Sequence, residues 1–142
     1  AAETIENNIR SKIIQKQLAD PEFFEKMSKQ LTQIIQKRRA EAIQYEKYLQ
    51  EIAKLERQVE EGKDTGTPKS LKTPGQRALY NNLDRDESLA LRVHEAVHGV
   101  KADAWRGNPV KEREIKRVLF RELKDDGVVL RIFNILVQNV EY

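Results

Sequence analysis

The 142-residue chain has no cysteine, which excludes disulfide cross-links and thiolate chemistry and accords with a reducing, cytoplasmic setting. No apolar run approaches the length of a membrane span, and no signal peptide pattern is present. Glycine (six) and proline (four) are scarce, so the chain has few obligatory helix breaks. The glycine-rich phosphate loops GxxxxGK[ST] and GxGxxG are missing, as is any grouping of acids with a lysine that would suggest a nuclease centre. The chain begins at Ala1 rather than methionine and reads as a fragment of a larger polypeptide.

What is present is 39% hydrophobic and 35% charged residues, with a mean hydropathy of −0.72. That balance suits a helical protein with a core and much solvated surface. The expected fold is all-α, a single helical domain over residues 1–142, with an N-terminal helical part (1–61), a flexible loop (62–75) and a C-terminal helical half (76–142). The net charge of +3 is unevenly spread. Residues 101–124 hold eight Lys/Arg against four Asp/Glu, and residues 20–61 hold eight against nine.

Residues 20–61 read as one uninterrupted helix. Asp20, Pro21 and Glu22 form a start signal, Gly62 stands where a left-handed cap belongs, and no Gly or Pro lies between. Leu31, Arg38, Tyr45, Ile52 and Val59 recur every seven residues, interleaved with Ile35, Ala42 and Leu49. Arg38, Glu56 and Tyr45 interrupt that seam, which favours packing within the chain over a zipper and makes the helix a strut. Ahead of it, Ile5, Ile9, Ile13 and Ile14 define a short amphipathic helix expected to dock on Phe23, Phe24 and Met27. Residues 62–75 read as a polar, mobile loop. Thr73-Pro74, Asp86 and Asn108-Pro109 each mark a helix start, and residues 128–140 form an apolar helix, or alternatively a strand over 128–133.

His94, Glu95 and His98 form a literal HExxH. The i,i+4 spacing aims both imidazoles the same way, as zinc requires, and the glutamate is placed to activate water. A zinc hydrolase is therefore one reading, but it lacks a third ligand at a supported spacing. Lys101, Ala104 and Arg117 occupy the usual positions, and Glu112, Glu114 and Glu122 are the alternatives. The competing reading is two surface histidines on an ordinary helix, with no metal.

Arg113, Arg117, Arg121 and Lys124 form a basic row with no acid four residues before any of the three arginines, which makes an external anion a fitting partner. With Arg106, Lys111, Lys116 and the loop lysines Lys63, Lys69 and Lys72, the row suits a duplex followed by its phosphates without base reading. Trp105 reads as a core anchor before that helix, and Lys37, Arg38 and Arg39 form a smaller cluster.

The order of a long helix, ALYNNL (78–83), DAWRGNPVKEREIKRVLFREL (103–123) and an apolar C-terminal helix resembles the C-terminal region of the restriction subunit of type I restriction-modification enzymes. Leu79, Tyr80, Leu83, Trp105 and Lys111 carry the resemblance from about residue 23 to residue 142. It implies a non-catalytic helical part that joins the motor to the methyltransferase and specificity subunits, away from membranes, while the contact with double-stranded DNA is expected from the basic row itself. It further implies that ATP, magnesium and the ATP-dependent deoxyribonuclease activity belong to upstream domains of the parent polypeptide, with no cofactor in this chain. The HExxH would then be incidental.

Overall fold

Capping side chains and apolar spacing produce seven helices and no strand in the computed structural model, which describes residues 1–142. The helices are α1 (Ala2–Lys16), α2 (Pro21–Arg39), α3 (Tyr45–Glu61), α4 (Pro74–Asn82), α5 (Glu87–Val100), α6 (Pro109–Leu123) and α7 (Asp126–Val137). The fold is all-α, as the periodicity predicts. Thr73 caps α4 in a reciprocal box with Gln76, while Asp86, Asn108 and Asp125 accept from the first turns of α5, α6 and α7. Each such cap contributes about 1 kcal/mol by satisfying donors that the helix leaves open.

The chain divides into two compact units. One comprises Ala1–Gln17 with Pro21–Thr67, and the other Leu18–Asp20 with Pro68–Tyr142. One boundary falls inside residues 62–75, where the composition turns polar, and the others flank Leu18–Asp20.

In the first unit α1, α2 and α3 pack against one another around Ile9, Ile13, Phe23, Phe24, Met27, Leu31, Ile34, Ile35, Tyr48, Ile52, Leu55 and Val59. Full burial of one such side chain contributes about 1.5–3 kcal/mol. Ile9 and Ile13 join Phe23, Phe24 and Met27 in one cluster as expected, with Ile5 partly buried against it, whereas Ile14 is exposed and stands off the packed face. Lys26 pairs with Asp64 at 2.6 Å, so the start of α2 lies beside the end of α3. Lys16 Nζ donates to the main-chain oxygens of Val59 and Glu60 at 3.0 and 3.2 Å, placing a cation at the negative end of α3.

The single long helix over residues 20–61 is not what forms. Residues 40–44 leave the helix, and α3 returns antiparallel to α2. Glu41 has a φ of 54°; its N–H donates to the Arg38 oxygen at 3.1 Å and the Ala42 N–H to the Lys37 oxygen at 2.9 Å. Those two bonds make a Schellman cap, a position glycine normally fills. A glutamate there gives no breaker signal. The reason for the reversal is burial: the stripe Met27, Leu31 and Ile34 runs on through charged Arg38 and Glu41 before Tyr48, Ile52, Leu55 and Val59. A straight helix would leave both apolar halves uncovered, whereas the turn lets each cover the other. Of the seven-residue rows, Tyr45, Ala42 and Leu49 end exposed, and the strut is replaced by a hairpin of helices.

In the second unit α5 packs on α4 and α6, and α7 on α6 and α4. Leu79, Val93, Val97, Trp105, Ile115, Leu119, Ile132 and Leu136 are at its centre. The alternative strand at 128–133 is helical, within α7. Residues 62–75 are better anchored than their composition suggests. Asp64 accepts from the Gly66 N–H at 3.0 Å, and Leu71 is buried. Gly62 supplies the left-handed cap of α3, with a φ of 68°.

Candidate functional site

Helix α6 buries Ile115, Val118 and Leu119, which turns the remaining arc outward. On that arc Arg113, Arg117, Arg121 and Lys124 are all exposed. Arg117 pairs with Glu114, one turn before it, at 2.9 Å, a partner at i,i+3 that an i,i+4 search passes over. Arg113, Arg121 and Lys124 have no ion-pair partner in the protein. Phe120, 46% exposed, lies three residues after Arg117 and seven after Arg113, so the basic row contains an aromatic face. That residue was missed in the sequence, although its spacing from the arginines marks it.

The other expected anion-binding residues divide. Arg106 is committed internally: its guanidinium donates to the main-chain oxygens of Val137 at 2.9 Å, Leu136 at 3.2 Å and Asn139 at 2.7 Å, and it lies 4.5 Å from the Trp105 ring. It closes the C-terminal end of α7 and is removed from the anion-binding set. Lys111 Nζ donates to the Asp103 oxygen at 2.7 Å, and Lys116 lies over the Phe133 ring at 4.6 Å. Both are half-buried and stabilise their own surroundings. Lys69 and Lys72 are exposed, but they lead into α4, which packs on α5 and α7 rather than on α6, so they stand outside the row. Trp105 is a core residue, buried, with its indole N–H donating to the main-chain oxygen of Tyr142 at 3.0 Å.

The histidines on α5 are not both surface residues. His94 is buried, its Nδ1 lies 2.6 Å from the Tyr142 hydroxyl, and its ring centroid is 4.4 Å from that of His98. Burial lowers the His94 pKa, with the neighbouring His98 adding to the effect, so the neutral imidazole is favoured. Tyr142 is itself shifted upward by burial and by Glu141. The acid brought to the pair is Glu141. One of its carboxylate oxygens and one nitrogen from each histidine lie within 4.8 Å of one another. Glu112, Glu114 and Glu122 do not join them: Glu112 accepts from the Gly107 N–H, Glu114 pairs with Arg117, and Glu122 faces Arg92 at 3.7 Å. Glu95 is exposed. No local spacing reveals Glu141, because the approach of residues 138–142 to α5 is a tertiary event.

Comparison of the chain with protein-family models, curated proteins and solved structures finds no match.

Proposed function

We propose that this chain is a non-catalytic helical part of the restriction subunit of a type I restriction-modification enzyme, and that it contacts double-stranded DNA non-specifically through α6. Support for the DNA contact comes from one observation above the rest: Arg113, Arg121 and Lys124 are exposed cations without internal partners, aligned with Arg117 and the exposed ring of Phe120. Phosphate oxygens satisfy such a row, and a sequence-independent backbone contact needs nothing more elaborate. The family assignment rests on the resemblance carried by residues 78–83 and 103–123. Assembly with methyltransferase and specificity subunits follows from the same resemblance; Tyr45 and Leu49, one turn apart on α3 and both exposed, leave the first unit an uncovered apolar strip for it. Nuclease and ATPase chemistry, with ATP and magnesium, belongs to other parts of the parent polypeptide.

The test is retardation of a duplex by the chain over a series of salt concentrations. Log affinity should fall linearly with log salt, and changing Arg113, Arg117 and Arg121 together to Ala should weaken binding to unrelated sequences about equally. A marked sequence preference, or binding indifferent to those three changes, overturns the assignment. A reading frame upstream of Ala1 without a GK[ST]-type ATPase would overturn the parentage.

A further inference from the structure

We infer that His94, His98 and Glu141 form a site for a divalent transition-metal ion of the zinc class, which ties residues 138–142 to α5. This is independent of the DNA-binding reading and uses none of its residues. Two imidazoles and one carboxylate are a recurrent zinc donor set, with water able to complete a tetrahedron. The i,i+4 spacing on α5 sets the two rings 4.4 Å apart, and the candidate ligand atoms all fall within 4.8 Å. Ligands on a metal with bonds of about 2.0–2.1 Å sit closer than that, so the arrangement has to contract slightly on binding. His98 supplies the movement, because it is exposed and its ring nitrogens have no hydrogen-bond partner in the protein.

The surroundings hold the other two ligands. The Gly75 N–H donates to Glu141 Oε1 at 2.6 Å, and Tyr142 fixes the His94 ring plane through its hydroxyl at 2.6 Å. Hydrogen bonds that orient ligand side chains are the usual support of a metal centre. Neither histidine forms an ion pair with Glu141 within 4.0 Å, so direct charge pairing does not account for bringing the three groups together. The donors come from two places in the chain, α5 and the residues beyond α7, so the ion acts as a staple. Glu95 is exposed and outside the donor set, where the water-activating glutamate of an HExxH motif also stands.

The test uses the whole 142-residue chain, stripped with chelator and titrated with zinc in competition with a chromogenic chelator. One zinc per chain is expected, with affinity reduced tenfold or more in both His98→Ala and Glu141→Gln. Neither substitution removes a core side chain, and far-UV circular dichroism should show both variants folded. A rise in Tm with zinc for the parent chain, absent in Glu141→Gln, provides a second readout. Failure to bind one equivalent overturns the site. Equal affinity in Glu141→Gln also overturns it, since binding would then need only the two histidines.

Discussion

Arg38 meets Glu6 through two parallel hydrogen bonds, Nε to Oε2 at 2.7 Å and Nη2 to Oε1 at 2.9 Å, and thereby joins the last turn of α2 to the first half of α1. The Tyr48 hydroxyl donates to the same carboxylate at 2.8 Å, so a buried acid in the first unit has three donors. This explains how a charged residue sits in an apolar stripe without unfolding it: both arginine and glutamate are satisfied where the helix hairpin turns.

Replacing Arg38 by Ala should destabilise the chain by more than the loss of a solvated surface pair, because it leaves the Glu6 carboxylate buried without its cation. Equilibrium denaturation measures the loss. A change below about 0.5 kcal/mol would mean that the pair is a solvated surface contact.

The Arg38 hydrogen bonds hold the Glu6 pKa below its ordinary value of 4.5, against the opposing effect of burial. A carboxylate with a lowered folded pKa gives stability that is complete above the unfolded value and is lost as pH falls through the folded one. Denaturation midpoints should therefore drop below about pH 4.5, with a shallower acid limb in Glu6→Gln. Tyr48 is pushed up to about 12, by burial first and by the Glu6 bond second, so it stays protonated throughout that range.

Glu41→Gly distinguishes the hairpin from a continuous helix. With Glu41 at a φ of 54°, glycine relieves the left-handed strain and should stabilise by up to about 1 kcal/mol. In an unbroken helix the same change would cost about 1 kcal/mol. The sign of the shift in Tm decides between the two.

Gly75→Ala makes a similar contrast in the second unit. Helix propensity alone favours alanine, but a Cβ there would lie 2.5 Å from the Tyr142 ring and 2.7 Å from the Glu141 carboxyl carbon. A loss of about 1–3 kcal/mol is expected from the displaced, buried Tyr142. A gain would show that the residues beyond α7 are not seated against α4.

Arg106→Ala and Arg113→Ala should behave oppositely. The first removes the donors that close the end of α7 and should lower Tm by several degrees. The second should leave Tm nearly unchanged, weaken duplex binding and reduce the salt slope by about 1.

The sequence by itself determined the helical class, the capped starts of α4, α5 and α6, the apolar faces of α1 and α6, and the exposed basic row on α6. These are local properties, written in spacings of three and four residues and in the preferences of Asp, Asn, Thr and Pro at helix starts. Only the tertiary structure decided that residues 20–61 fold back on themselves. The turn at Glu41 uses a residue with no breaker signal, and its stability comes from the mutual burial of two distant stripes. The same holds for the histidines of α5. Their pairing is visible in the motif, but the third acid reaches them only after α7 has packed and Arg106 and Trp105 have fixed residues 136–142. Long-range contacts of that kind are selected by packing and leave no periodicity for a sequence reading to find.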